Sequence, residues 1–102
     1  MPSFKGGSSP TSYEVVITHK AEQDLRSLDS SITNRILNKL YWLGENAGQT
    51  IHHSLVSVPD DLKGLCRLRV GDWRILYLVY HENRKITVYG VMHRSKAYKD
   101  LQ

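Results

Sequence analysis

Along residues 66–70, apolar Cys66, Leu68 and Val70 alternate with Arg67 and Arg69. That period of two marks a strand with one apolar and one polar face. Gly71-Asp72 supplies a tight turn, and Trp73–Tyr80 follows as a nearly continuous apolar, β-prone run broken only by Arg74. Such a run suits a central strand covered on both faces. Upstream the period lengthens. Ala21, Leu25 and Leu28 fall at helical spacing, and Ile32, Ile36, Leu40 and Leu43 form a second helical stripe with Leu37 beside it. Thr18 is placed to cap the first helix, and Asp29-Ser30-Ser31 breaks the pattern and offers caps for the second. Gly44 and Gly48 bracket the second helix's end, at about Leu43.

Tyr13–Ile17 reads as a short first strand and Ile86–Met92 as the last, interrupted by Gly90. Residues 49–61 read as a connection, and His93–Tyr98 opens a short C-terminal segment. Residues 1–12, rich in Ser, Gly and Pro, read as a flexible leader, so the domain spans 13–102. The order β-α-α-β-β-β predicts an α+β fold, with two N-terminal helices packed on one face of a small, mostly antiparallel sheet.

A chain of 102 residues has room for one core. Its single cysteine, Cys66, excludes an intramolecular disulfide framework and reads as a packed thiol. With no stretch approaching the roughly 18–20 apolar residues of a membrane span, and no signal-peptide pattern, the cytoplasm is the expected compartment. The formal charge is +4, but its distribution is uneven. From Lys63 to Lys99 nine basic residues face only Asp72 and Glu82, a local net of +7. A solvated basic face is the plain explanation. Arginines that punctuate apolar strands rather than loops favour anion or nucleic-acid binding, since like charges on neighbouring strands repel.

Several chemistries lack their residues. No Gly-rich phosphate loop, nucleophile elbow or paired carboxylate at the basic end is present. His52, His53 and the Asp60-Asp61 pair match no common metal-ligand spacing, and no cofactor is called for. What remains is basic and aromatic: Arg67, Arg69, Arg74, His93, Arg94, Lys96 and Tyr98. Such a set suits RNA cleavage in which the substrate's own 2′-hydroxyl attacks the adjacent phosphate. The protein then holds the backbone in line, stabilises phosphoryl charge and moves protons. Tyr98 can serve as a proton carrier or simply as a packed ring.

Leu62-Lys-Gly64, Arg67-Leu-Arg-Val-Gly-Asp-Trp-Arg-Ile-Leu-Tyr77 and His93-Arg-Ser-Lys-Ala-Tyr98 together resemble the hallmark runs of the RelE/ParE superfamily of toxins from type II toxin–antitoxin systems. The resemblance extends over Tyr13–Leu101 and lies toward the RelE-like branch. It implies a toxin that cuts mRNA on the ribosome by metal-independent transesterification and is silenced by a cognate antitoxin in a hetero-oligomer. Its implied catalytic residues are Arg67, Arg69, Arg74, His93, Arg94 and Tyr98, with Lys63, Lys96 and Lys99 as further RNA contacts. Sheet positions that are often lysine in RelE-type enzymes are arginine here, so a general-base role would pass to Tyr98 or His93. The alternatives implied by the same superfamily are a ParE-like, non-enzymatic inhibitor of DNA gyrase, or an inactive member that only binds its antitoxin.

Overall fold

A computed structural model describes residues 3–5, 11–54 and 64–97. The elements run β1 (Ser3–Lys5), β2 (Glu14–Ile17), α1 (His19–Arg26), α2 (Ser30–Asn46), β3 (His53–Ser54), β4 (Cys66–Val70), β5 (Trp73–Tyr80), β6 (Lys85–His93) and α3 (Arg94–Ala97). The α+β architecture with two helices ahead of the main strands is as the periodicities predict. The strands form one six-stranded sheet in the order β1-β2-β6-β5-β4-β3. All neighbours are antiparallel except β2 and β6. Because α1 and α2 follow β2, the chain returns through β3–β5 before β6 closes beside β2.

Two small strands were not legible. Ser3–Lys5 lies in the presumed leader but pairs with β2, Phe4 opposite Val15, which corrects the leader reading for those three residues. His53–Ser54, inside the presumed connection, adds an edge strand beside Cys66 and Arg67. Helix α2 also overruns its expected end, since Gly44 sits buried within it. The Gly44 carbonyl accepts a hydrogen bond from the Tyr13 amide at 2.8 Å. Satisfying a carbonyl near the helix end offsets part of the roughly 1 kcal/mol cost of a helical glycine.

Thr18 caps α1 as expected, its hydroxyl accepting from the Ala21 amide at 3.2 Å. Asp29 precedes α2 without a side-chain capping bond. The two helices are tied instead by the Thr33 hydroxyl, which donates to the Leu25 carbonyl at 2.9 Å. The predicted stripes fill the core. Ile36, Leu40 and Leu43 are fully buried, and they join Val15, Ile75, Tyr77, Ile86 and Val88 from the sheet. Cys66 belongs to the same cluster. Burial raises its thiol pKa, opposed by the Ser54 hydroxyl, so it is a packed thiol.

A bulge makes this core possible. In the β5–β6 ladder Leu76 pairs with Gly90 but Tyr77 pairs with Val88, so Tyr89 is the extra residue. Without that skip, the alternation of side chains would put Val88 and Val91 on opposite faces; with it, both join the core. A bulge also disturbs the ladder's hydrogen bonds. Here the Val91 amide donates to Asp24 Oδ2 at 3.0 Å, and Lys20 Nζ holds the same carboxylate at 2.7 Å. Asp24 thereby fastens α1 to the sheet's irregular point. Replacing it by Ala should cost about 1.5–3 kcal/mol, the range for a hydrogen bond to a charged group, and Asp24→Asn should cost less. Urea denaturation of the three proteins checks the order.

Candidate nucleic-acid interface

The hairpin of β4 and β5 carries the arginines. Its ladder pairs Val70 with Trp73 across Gly71-Asp72, and Gly71 takes φ = 57°, a region glycine enters without penalty. This register sets Arg69 directly opposite Arg74, and Arg67 opposite Leu76. Cys66, Leu68, Val70, Trp73 and Ile75 point into or against the core, so Arg67, Arg69 and Arg74 share the other face of the sheet, away from the helices.

Arg74 is the unusual member. It is only 5% exposed, whereas Arg69 is exposed and Arg67 is half-buried. Its Nη1 donates to the Gly71 and Trp73 carbonyls, both at 2.9 Å, which anchors the guanidinium to the turn. Its buried Nε has no hydrogen-bond partner among the described residues. Burial lowers the pKa of Arg74, as do the charges of Arg69, Arg67 and Arg94 in that order, while Asp72 pulls the other way. A guanidinium nevertheless keeps its charge at neutral pH. The site therefore concentrates positive charge around one desolvated donor.

Arg94 reaches this neighbourhood from α3. Its amide donates to the Asp72 carbonyl at 2.7 Å, and its Nε lies 3.6 Å from Asp72 Oδ1. His93 is placed differently. It pairs with Trp73, and the two rings meet edge to face at 5.3 Å on the helix side of the sheet. Its Nδ1 accepts from the Ser95 amide at 3.2 Å, leaving Nε2 to carry the proton of the neutral ring. The sheet thus separates His93 from the three strand arginines. Strand alternation gives the reason: Met92, not His93, faces the side of Arg74. Lys96 is exposed and lines a shallow cavity with His93, Trp73 and Asp24, also on the helix side. Tyr98, Lys63 and Lys99 lie outside the described residues.

The histidines at the far end of the hairpin have structural work. His52 Nε2 donates to the Ala47 carbonyl at 2.9 Å, so its Nδ1 accepts from the Tyr77 hydroxyl at 2.8 Å. Burial, followed by the neighbouring Cys66, pushes the Tyr77 phenol well above its ordinary pKa, so it remains a hydroxyl donor. His81 Nδ1 and the Tyr13 hydroxyl make a similar 2.8 Å bond. Among the described residues, no group of three His, Cys, Asp or Glu is arranged to hold a metal ion. Nor is any helix there long and apolar enough to cross a membrane.

If the arginines serve a ligand rather than the fold, removing one should not weaken the protein. Arg69→Ala should change stability by no more than about 0.5 kcal/mol, and at low ionic strength the change should be stabilising. Added salt should erase that gain, because it screens the repulsion on the exposed face. Paired urea titrations at low and high salt measure both effects.

No curated protein matches the chain. A chain of the toxin–antitoxin complex RelBE2 from Mycobacterium tuberculosis superposes with a TM-score of 0.70 at 23% identity, over 87% of this chain and 99% of that one. The archaeal RelE–RelB complex from Pyrococcus horikoshii gives 0.65 at 24% identity, over 84% and 99%. A YoeB/ParE toxin from Agrobacterium tumefaciens gives 0.59 at 15% identity, over 78% and 95%. At these identities the superpositions establish a shared fold. Residues 15–98 match the family described as the ParE toxin of the type II toxin–antitoxin system parDE, and the chain accordingly belongs to the RelE/ParE superfamily of type II toxins.

Proposed function

We propose that this toxin is an endoribonuclease that cuts mRNA on the ribosome and is neutralised by a cognate antitoxin. The observation that carries the reading is Arg74: a nearly buried guanidinium whose Nε has no partner among the described residues, ringed by Arg69, Arg67 and Arg94. A surface made only to bind protein has little use for a desolvated cation among like charges. A phosphate gaining charge during reaction has a direct use for one.

In the proposed step the RNA 2′-oxygen attacks the adjacent phosphorus and the bond to the 5′-oxygen breaks, leaving a 2′,3′-cyclic phosphate and a 5′-hydroxyl. One proton leaves the 2′-hydroxyl and one reaches the departing oxygen. Arg74 and Arg69 would hold the non-bridging oxygens, and Arg67 and Arg94 would strengthen the local field. Arginine is a poor proton carrier, and His93 lies across the sheet, so proton transfer would pass to Tyr98 or to groups the ribosome supplies. The basic face would also complement an acidic segment of the antitoxin.

A second reading has a specific basis, because the matching family is described as the ParE toxin. On that reading the same basic face would bind gyrase without catalysis. Single-turnover cleavage of ribosome-bound mRNA separates the two. Arg74→Ala should slow it by about 10²–10³-fold, as for loss of one preorganised donor to a developing oxyanion, with ribosome affinity nearly unchanged. Equal losses of affinity and rate would make Arg74 a docking residue, and the catalytic assignment would fall.

A further inference from the structure

The basic surface does not stop at the sheet. Around the edge at Gly71 lies an open groove of about 520 Å³ between α2 and the β4–β5 turn, lined by Arg35, Lys39, Trp42 and Arg69, with no acidic residue among the described residues of its wall. Arg35, Asn38, Lys39 and Trp42 follow at helical spacing, so α2 presents them as one stripe beside its buried one. Arg35 crosses to the turn, where its guanidinium lies 3.1 Å from the position a Cβ on Gly71 would take. A side chain at position 71 would make the end of Arg35 give by a few tenths of an ångström.

Three observations give the groove a ligand of particular chemistry. First, Arg35 and Lys39 stand four residues apart on one helix, a like-charge spacing that destabilises a helix. Neither joins an ion pair among the described residues, whereas α1 pairs Lys20 with Asp24 and Arg26 with Glu22. Second, Trp42 is 41% exposed and presents its indole in the groove beside these cations. Lys39 Nζ lies 4.0 Å from its ring centroid, so cation and aromatic face occupy the same spot. Third, Arg69 borders both this groove and the arginine face, making the two surfaces continuous.

We infer that α2 and the β4–β5 turn form a tract for single-stranded RNA, with Trp42 as a stacking platform for a base and Arg35, Lys39 and Arg69 as contacts to the flanking phosphates. Cations interleaved with an exposed aromatic fit a polyanion that also carries flat rings. An acidic peptide would satisfy the charges but leaves the indole without a partner of its own kind. The inference rests on the RNA-cleaving reading and extends it, leading the strand around the sheet edge to Arg74.

The test uses the full chain and a short 2′-O-methyl oligouridylate, which binds as RNA but has no 2′-hydroxyl to react. Titration should quench tryptophan emission in the wild type. Trp42→Ala should weaken binding by about 5- to 150-fold, the range for losing one stacked base, and Trp42→Phe should recover part of the loss. The double variant Arg35→Gln, Lys39→Gln should flatten the dependence of log affinity on log salt by about 1.4, given roughly 0.7 per single-strand phosphate contact. Thermal melting of each variant confirms the fold. Wild-type affinity and salt slope in these variants would overturn the tract. So would polyglutamate binding with the same dependence on Trp42, which would point to an acidic protein partner. Trp42-independent oligonucleotide binding alongside intact mRNA cleavage sinks this inference alone. Trp42-dependent binding without cleavage sinks the proposed function and leaves the tract standing.

Discussion

Arg69 and Arg74 face each other across the β4–β5 ladder, and holding two guanidinium groups at that spacing is the constraint on which the site depends. Two carbonyls of the turn hold the Arg74 guanidinium, but the pair repels and Arg74 is desolvated as well. The opposite face of the same hairpin supplies the compensation. Cys66, Leu68, Val70, Ile75 and Tyr77 bury against α2 and the neighbouring strands, and this non-directional gain fixes the register to within one residue. A slip of one position would turn the arginines into the core. The apolar half of the hairpin therefore determines where the charged half stands.

The remainder of the chain keeps that hairpin rigid. β6 lies between β5 and β2 and receives α1 on its inner face. Its bulge lets Val88 and Val91 enter the same core, while Asp24 accepts the Val91 amide there. At the other end, the His52–Tyr77 and His81–Tyr13 bonds close the hairpin's base, away from the Arg69–Arg74 pair. Buried polar groups that find partners rigidify a fold. Arg74 Nε, which finds none among the described residues, breaks that rule, as functional sites often do.

The fold was largely legible because its elements declare their periods. The hairpin and both helices follow from spacing alone, whereas β6 runs through Gly90, which pairs with Leu76, and its irregular residue is Tyr89. The misses have physical causes. Ser3–Lys5 and His53–Ser54 are too short for any period to register, and Gly44 reads as a helix stop until the Tyr13 amide is seen on its carbonyl. For the site, alternation placed Arg67 and Arg69 correctly on one face. It gave no warning that His93 would lie across the sheet, because a terminal residue's face depends on the bulge before it. The stripe of Arg35, Lys39 and Trp42 does not stand out in the sequence because residues 1–62 are net acidic, and net charge hides a local face. Its signal was present in two cations spaced at i and i+4 beside a tryptophan outside the apolar stripe.

The central claim is that this arginine face acts on RNA held by the ribosome. Toe-printing tests it most directly, with purified wild-type protein added to ribosomes stalled on a defined mRNA. The account predicts a new, discrete stop at the A-site codon, dependent on ribosomes and abolished by antitoxin. Full-length mRNA under those conditions, together with loss of gyrase supercoiling at the same protein concentration, would contradict it.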